Sequence, residues 1–109
     1  MSQDLHGKRT FSYSEARALL PRLRELTDAA YRKVAALEAR PHPEAGSAEI
    51  EAVVSDWARQ VIELGLEVKG AWLADFDNGS GYYCWRYPED DLLYFHSYEE
   101  GFSGRMRIQ

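Results

Sequence analysis

Residues 70–98 read GAWLADFDNGSGYYCWRYPEDDLLYFHSY, and the spacing of their apolar side chains decides the architecture. Aromatic and aliphatic residues alternate with polar ones at a period of two, and the Asn78-Gly79-Ser80-Gly81 and Pro88-Glu89-Asp90-Asp91 groups interrupt the pattern where hairpin turns belong. The stretch therefore predicts three antiparallel strands, 71–77, 82–87 and 92–98. In the second, Tyr83, Trp85 and Tyr87 share one face and Tyr82, Cys84 and Arg86 the other; in the third, Tyr94, His96 and Tyr98 oppose Leu93, Phe95 and Ser97.

Upstream of Gly70 the period changes to that of helices. Phe11-Ser12-Tyr13-Ser14-Glu15 predicts a capping box, Ser12 taking the Glu15 amide and the Glu15 carboxylate the Ser12 amide. Ala16, Leu19, Leu20, Leu23, Leu26, Ala30, Val34 and Leu37 then follow on one face as far as Ala39, with Pro21 predicting a bend because it removes one backbone bond. After the breaker-rich turn 40–46, a second helix capped by Ser47 carries Ile50, Val53, Val54, Trp57, Ala58, Val61, Ile62, Leu64, Gly65 and Val68 on its apolar arc. Folded antiparallel, the pair sets Leu37 against Ile50, Val34 against Val53 and small Ala30 against Trp57.

The expected fold is α+β: one domain over 1–109, with 1–9 flexible, a long antiparallel helical hairpin over 12–69, and a small three-stranded antiparallel meander with its tail over 71–109. A chain of 109 residues leaves no room for a second domain. A single cysteine allows no internal disulfide, and with no apolar run near ~20 residues and no leader-like segment the chain reads as cytoplasmic, with no membrane partner. Net charge is −5, and residues 71–109 hold seven acids against three bases, which argues against nucleic acid.

The order F-S-x-S-E-A-x-x-L-L-P, G-L-E-V-K, D-F, C-W, a following Glu, a late His and G-F-S-G-R resembles domain-of-unknown-function family 2203, a group of short bacterial proteins. Pro88 stands where that pattern leads one to expect glycine. The resemblance covers most of the chain. It implies a similar fold and no activity, and it directs attention to Asp75, Cys84, Trp85, Glu89, His96 and Arg105.

Chemistry narrows these to a candidate polar cluster of Asp75, Glu89, His96 and Arg105. Asp75, His96 and Glu99 are the candidate metal ligands, although no HxxxH or CxxC spacing pre-positions two ligands on one element; His6 and His42 lie outside the sheet. Cys84, in mid-strand with no glycine-rich loop after it, reads as a structural thiol rather than a nucleophile for His96. Arg105, framed by Gly101 and Gly104, offers a fork for Asp75 or Glu89 within the chain, or for a bound anion. The leading functional reading is a non-enzymatic interaction or homodimerisation module with no cofactor, its partner a second copy or another protein. The alternative is a small metal- or anion-binding enzyme centred on Asp75, Glu89, His96 and Arg105.

Overall fold

The computed structural model describes residues 9–42 and 46–109. Two helices, α1 (Tyr13–Glu38) and α2 (Ser47–Glu63), precede five strands: β1 (Glu67–Gly70), β2 (Leu73–Asp77), β3 (Tyr82–Arg86), β4 (Tyr94–His96) and β5 (Met106–Arg107). The strands form one antiparallel sheet in chain order. The α+β class, the helical hairpin and the central meander are as expected, and a further short strand flanks the meander on each side. Residues 1–8, including His6 and most of the segment expected to be flexible, lie outside the described residues, as do 43–45 of the interhelical turn.

The α1 start is the predicted capping box: Ser12 Oγ accepts from the Glu15 amide at 3.0 Å and the Ser12 amide donates to Glu15 Oε1 at 2.8 Å. Pro21 sits inside α1, and the helix runs through it. Trp57 is 2% exposed and donates its indole N–H to Thr27 Oγ1 at 2.8 Å; that hydroxyl donates in turn to the Leu23 carbonyl. With Leu26, Ala30 and Val53, Trp57 lines the groove where the helices face each other, so the large residue meets the small one as the pairing required.

Two helix-boundary expectations need correction. The N-cap of α2 is Gly46, with no side-chain cap bond, and Ser47 is the first helical residue. More consequentially, α2 stops at Glu63 instead of running to about 69. Gly65 adopts φ +100°, its amide donates to the Ile62 carbonyl at 2.9 Å, and the Leu66 amide reaches Val61 at 3.4 Å. These are the bonds of a Schellman cap, completed by packing of buried Leu66 with Val61 in the core. A Cβ at Gly65 would also lie 2.7 Å from Arg9 Cδ. Leu64 and Val68 thus leave the helical arc, and Lys69, which the longer helix would have carried, moves to a sheet-edge strand.

The sheet presents two unlike faces. Ala74, Phe76 and Trp85 join Leu20, Leu23, Trp57 and Val61 in the core beneath the helices, and Tyr83 packs its ring 5.3 Å from that of Tyr13. On the opposite face the register aligns Glu67, Asp75, Cys84, Tyr94 and Arg107 across all five strands, with Asp77, Tyr82 and His96 in the next row. That second face is roofed by the tail, whose Phe102–Gly104 forms a 3₁₀ turn. Charged side chains on a sheet face are ordinarily solvated; this roof buries some of them.

Candidate functional site

Asp75 and His96 come together under the roof. Asp75 is on β2 and His96 on β4, with β3 between them; they share a face one row apart, and the diagonal brings His96 Nε2 to 2.9 Å from Asp75 Oδ2, both side chains being at most 2% exposed. His96 Nδ1 lies 2.8 Å from the Ser97 carbonyl. A carbonyl and a carboxylate both accept, so each ring nitrogen faces an acceptor, and the tautomer with its hydrogen on Nδ1 turns the Nε2 lone pair toward Asp75. Lys69 Nζ, 3.2 Å from the same Oδ2 and 3.8 Å from the centroid of the Tyr82 ring, adds positive charge from β1. The other carboxylate oxygen, Asp75 Oδ1, is buried without a hydrogen-bond partner of good geometry among the described residues. An orphaned acceptor there costs roughly 1 to 3 kcal/mol.

Cys84 lies between them on β3, directly opposite Asp75 in the register. Donor atoms of Asp75, Cys84 and His96 all fall within 4.8 Å of one another, and all three residues are buried. Sequence reasoning proposed Glu99 as the companion of Asp75 and His96, but Glu99 is exposed beyond the end of β4 and outside this group. Cys84 takes its place. The alternation of β3 had put Cys84 on this face, and the readable signal was its phase relative to Asp75 and His96. Lys69 was missed altogether because it was assigned to α2.

The other half of the predicted cluster forms a separate clamp. Arg105 donates to Glu89 through both terminal nitrogens, Nη2···Oε2 at 2.6 Å and Nη1···Oε1 at 3.2 Å, and Glu89 Oε1 also accepts from the Arg86 amide at 2.9 Å. The guanidinium is sandwiched between Tyr94 and Phe102, 3.9 and 4.0 Å from the ring centroids. Burial disfavours its charge, but the hydrogen bond and charge of Glu89 outweigh that, and its pKa is raised. The clamp ties the β3–β4 turn to the roof and meets the Asp75 group only through Arg105 Nη1, 3.9 Å from Cys84 Sγ.

This setting makes Cys84 a poor nucleophile. Burial, then the charge and hydrogen bond of Asp75, push the thiol from an ordinary 9.0 up to about 12, with Arg105 pulling the other way. The Tyr98 hydroxyl, which donates to Asp77 at 2.6 Å, is likewise raised from 10.0 to about 12, chiefly by that bond. Both groups are neutral acids whose folded pKa lies above the unfolded one. Their contribution to stability is therefore complete below the unfolded value and lost as pH rises through the folded one. Metal-free protein should lose stability between about pH 9 and 12. Cys84→Ala should flatten the start of that decline and Tyr98→Phe its later part, as read from urea midpoints at successive pH values. Midpoints that stay level in the parent over this range would show that neither group is held neutral by the fold.

Gly101 and Phe102 close the site from above. With Lys69, Leu73, Asp75, Cys84 and His96 they line a recess of about 280 Å³. Beneath it, the arrangement offers one thiol, one imidazole nitrogen and one carboxylate converging from three adjacent strands. The Nδ1–H···O=C bond of His96 holds the ring as metal-ligating histidines are commonly held.

Among the described residues no helix is long and apolar enough to cross a membrane. The sequence model of the family described as "Uncharacterized conserved protein (DUF2203)" matches residues 9–108. No curated protein and no solved structure matches the chain. The match spans nearly all of the chain, which belongs to the DUF2203 family.

Proposed function

We propose that this member of the DUF2203 family binds a divalent transition metal of the zinc class through Asp75, Cys84 and His96, with the remaining coordination position turned to the recess. The convergence of three buried donor atoms within 4.8 Å is the observation that carries the reading. Charge supports it too. One divalent ion would balance the charge of the Asp75 carboxylate and a Cys84 thiolate, with a neutral His96 as third ligand. A metal bound through Asp75 Oδ1 would give that oxygen the partner it lacks. One sulfur, one nitrogen and one oxygen donor suit zinc or cobalt better than magnesium or calcium, which prefer oxygen alone.

Three protein ligands with a fourth position facing a recess is the pattern of catalytic zinc sites. A metal held so acts as a Lewis acid and activates bound water, which favours a hydrolytic enzyme over a purely structural site. A thiolate ligand needs a reducing compartment, which favours the cytoplasm.

Anaerobic titration of untagged, metal-free protein with cobalt(II) tests the site. The expected result is one ion per chain with a sulfur-to-cobalt charge-transfer band, the band disappearing in Cys84→Ser and the affinity falling at least about tenfold in His96→Ala. Uptake indifferent to both substitutions places the metal elsewhere and ends this reading.

Self-association is a second reading, favoured by Val54, Ala58 and Ile62 along one stripe of α2, the last 57% exposed. A twofold dimer through this stripe would cover it. Sedimentation at micromolar concentration should show the dimer, and Ile62→Glu should give a monomer; a monomeric parent removes the reading.

A further inference from the structure

The recess over the Asp75 group is too small for a polymer or a nucleotide and unlike a wholly apolar pocket. At about 280 Å³ it lies just below the range of drug-sized ligand sites, which suits a compact molecule. Leu73 and Phe102 give it apolar walls, while Lys69 brings an ammonium into it. A second cation lies outside the lining, beyond the Phe102 wall: Arg86 is opposite Leu73 in the register, two residues along β3 from Cys84 on the same face, and its guanidinium carbon is 5.4 Å from the Phe102 ring centroid. Among the described residues no carboxylate forms an ion pair with the Arg86 side chain. In a chain of net charge −5, the Lys69 ammonium in the lining, with Arg86 beyond it, favours an anion once a metal offsets the Asp75 carboxylate.

Lys69 is the informative one. Its nitrogen is 3.2 Å from Asp75 Oδ2 and 3.7 Å from Glu67 Oε1, and its side chain is 35% exposed, so it is tethered at the edge of the recess and not sealed inside it. Once the Asp75 carboxylate is committed to a metal, its attraction for Lys69 is largely spent, and the ammonium keeps only the longer Glu67 contact and can take a second negative group from the recess. A metal held by Asp75, Cys84 and His96 would lie beside it.

We propose that the recess receives a small oxyanion, a phosphate or a carboxylate, bound jointly by the metal's open position and by Lys69, with Arg86 assisting from beyond the Phe102 wall. This rests on the metal-binding reading and extends it to the class of substrate. Metal and anion binding are then coupled. The metal frees Lys69 for the anion, and by linkage the anion strengthens metal binding by the same factor.

The test titrates parent, Lys69→Met and Arg86→Gln calorimetrically at constant ionic strength, first with zinc, then with inorganic phosphate and separately with acetate, on the zinc-loaded and the metal-free proteins. Phosphate or acetate should bind the zinc-loaded parent at least about tenfold more tightly than the metal-free protein, a coupling of ordinary size. Lys69→Met should reduce that coupling to the part the metal alone supplies, while zinc uptake is kept or strengthened because a competing cation has gone; Arg86→Gln should weaken the anion by a smaller factor. Tighter phosphate assigns the recess to phosphorylated small molecules, and tighter acetate to carboxylates. Zinc-loaded Lys69→Met that binds either anion as the parent does, or a zinc-loaded parent that binds neither, overturns the anion proposal and leaves the metal site standing. Absence of zinc uptake in the first titration overturns both.

Discussion

Trp57→Ala should lower the free energy of unfolding by about 3 to 5 kcal/mol, the range for truncating a fully buried tryptophan. The indole is 2% exposed and reaches across the layer from α2: Thr27 of α1 takes its N–H, and the Trp72 ring on the β1–β2 turn meets it edge-on at 5.1 Å. Removal therefore strips packing from both helices and from the turn that starts the sheet. Trp72 is itself held at φ +67°, a conformation costly for a bulky side chain, so the substitution also deprives a strained residue of one of its supports. Thr27 keeps its bond to the Leu23 carbonyl, so the loss is mainly one of packing. Thr27→Val, which keeps the volume but leaves the buried Trp57 N–H without an acceptor, should cost about 1 to 3 kcal/mol. Chemical denaturation reads both, and a Trp57→Ala shift under about 1 kcal/mol would remove the helix register on which the core depends.

The register was readable because it follows from local spacing. Ala30 and Trp57 sit at helical intervals on either side of a breaker-rich turn, and β2 and β3 flank an Asn-Gly turn with clean alternation. The boundary between α2 and β1 was not readable in the same way. Leu64 and Val68 continue the helical phase of Val61, so periodicity runs straight through the stop. Only the positive φ of Gly65 and the packing of Leu66 end the helix, and a glycine inside an apolar helical pattern is ambiguous until its neighbours are known. β5 is shorter than any period: Met106 and Arg107 become a strand because Phe95 and Tyr94 offer them an edge.

The same distinction governs the site. Alternation placed Cys84 on its face, and the turns made Asp75 and His96 near neighbours on flanking strands, so a polar group there was foreseeable. Lys69 was lost with the helix boundary, and Glu99, chosen for its residue type, lies exposed beyond the end of β4 and apart from Asp75 and His96. Proximity within the four-residue cluster was over-read as well. Glu89 and Arg105 satisfy each other, whereas the Asp75 carboxylate keeps one oxygen without a partner.

That division of labour sets the expected behaviour of Arg105→Ala, a loss of about 2 to 4 kcal/mol. Breaking a buried ion pair by deleting one partner costs roughly 3 to 5 kcal/mol because the other charge stays desolvated. Arg105 and Glu89 are 14% and 19% exposed at their side chains, so water relieves part of that cost. The guanidinium also fills the gap between Tyr94 and Phe102, and its removal leaves the Phe102 roof without that filler and Glu89 with only the Arg86 amide. Glu89→Gln keeps the turn's backbone bond but loses the charge, so it should cost less than Arg105→Ala. The double variant should cost clearly less than the sum of the two, by about 1 to 3 kcal/mol, as residues in direct contact do. Metal binding supplies the discriminating measurement. A clamp that only holds the roof should lower the stability of metal-free Arg105→Ala while leaving Asp75, Cys84 and His96 able to take up cobalt at saturating concentration with the parent's spectrum. Unchanged stability together with a lost cobalt spectrum would instead make Arg105 part of the metal site, and the separation of clamp from metal group would fail.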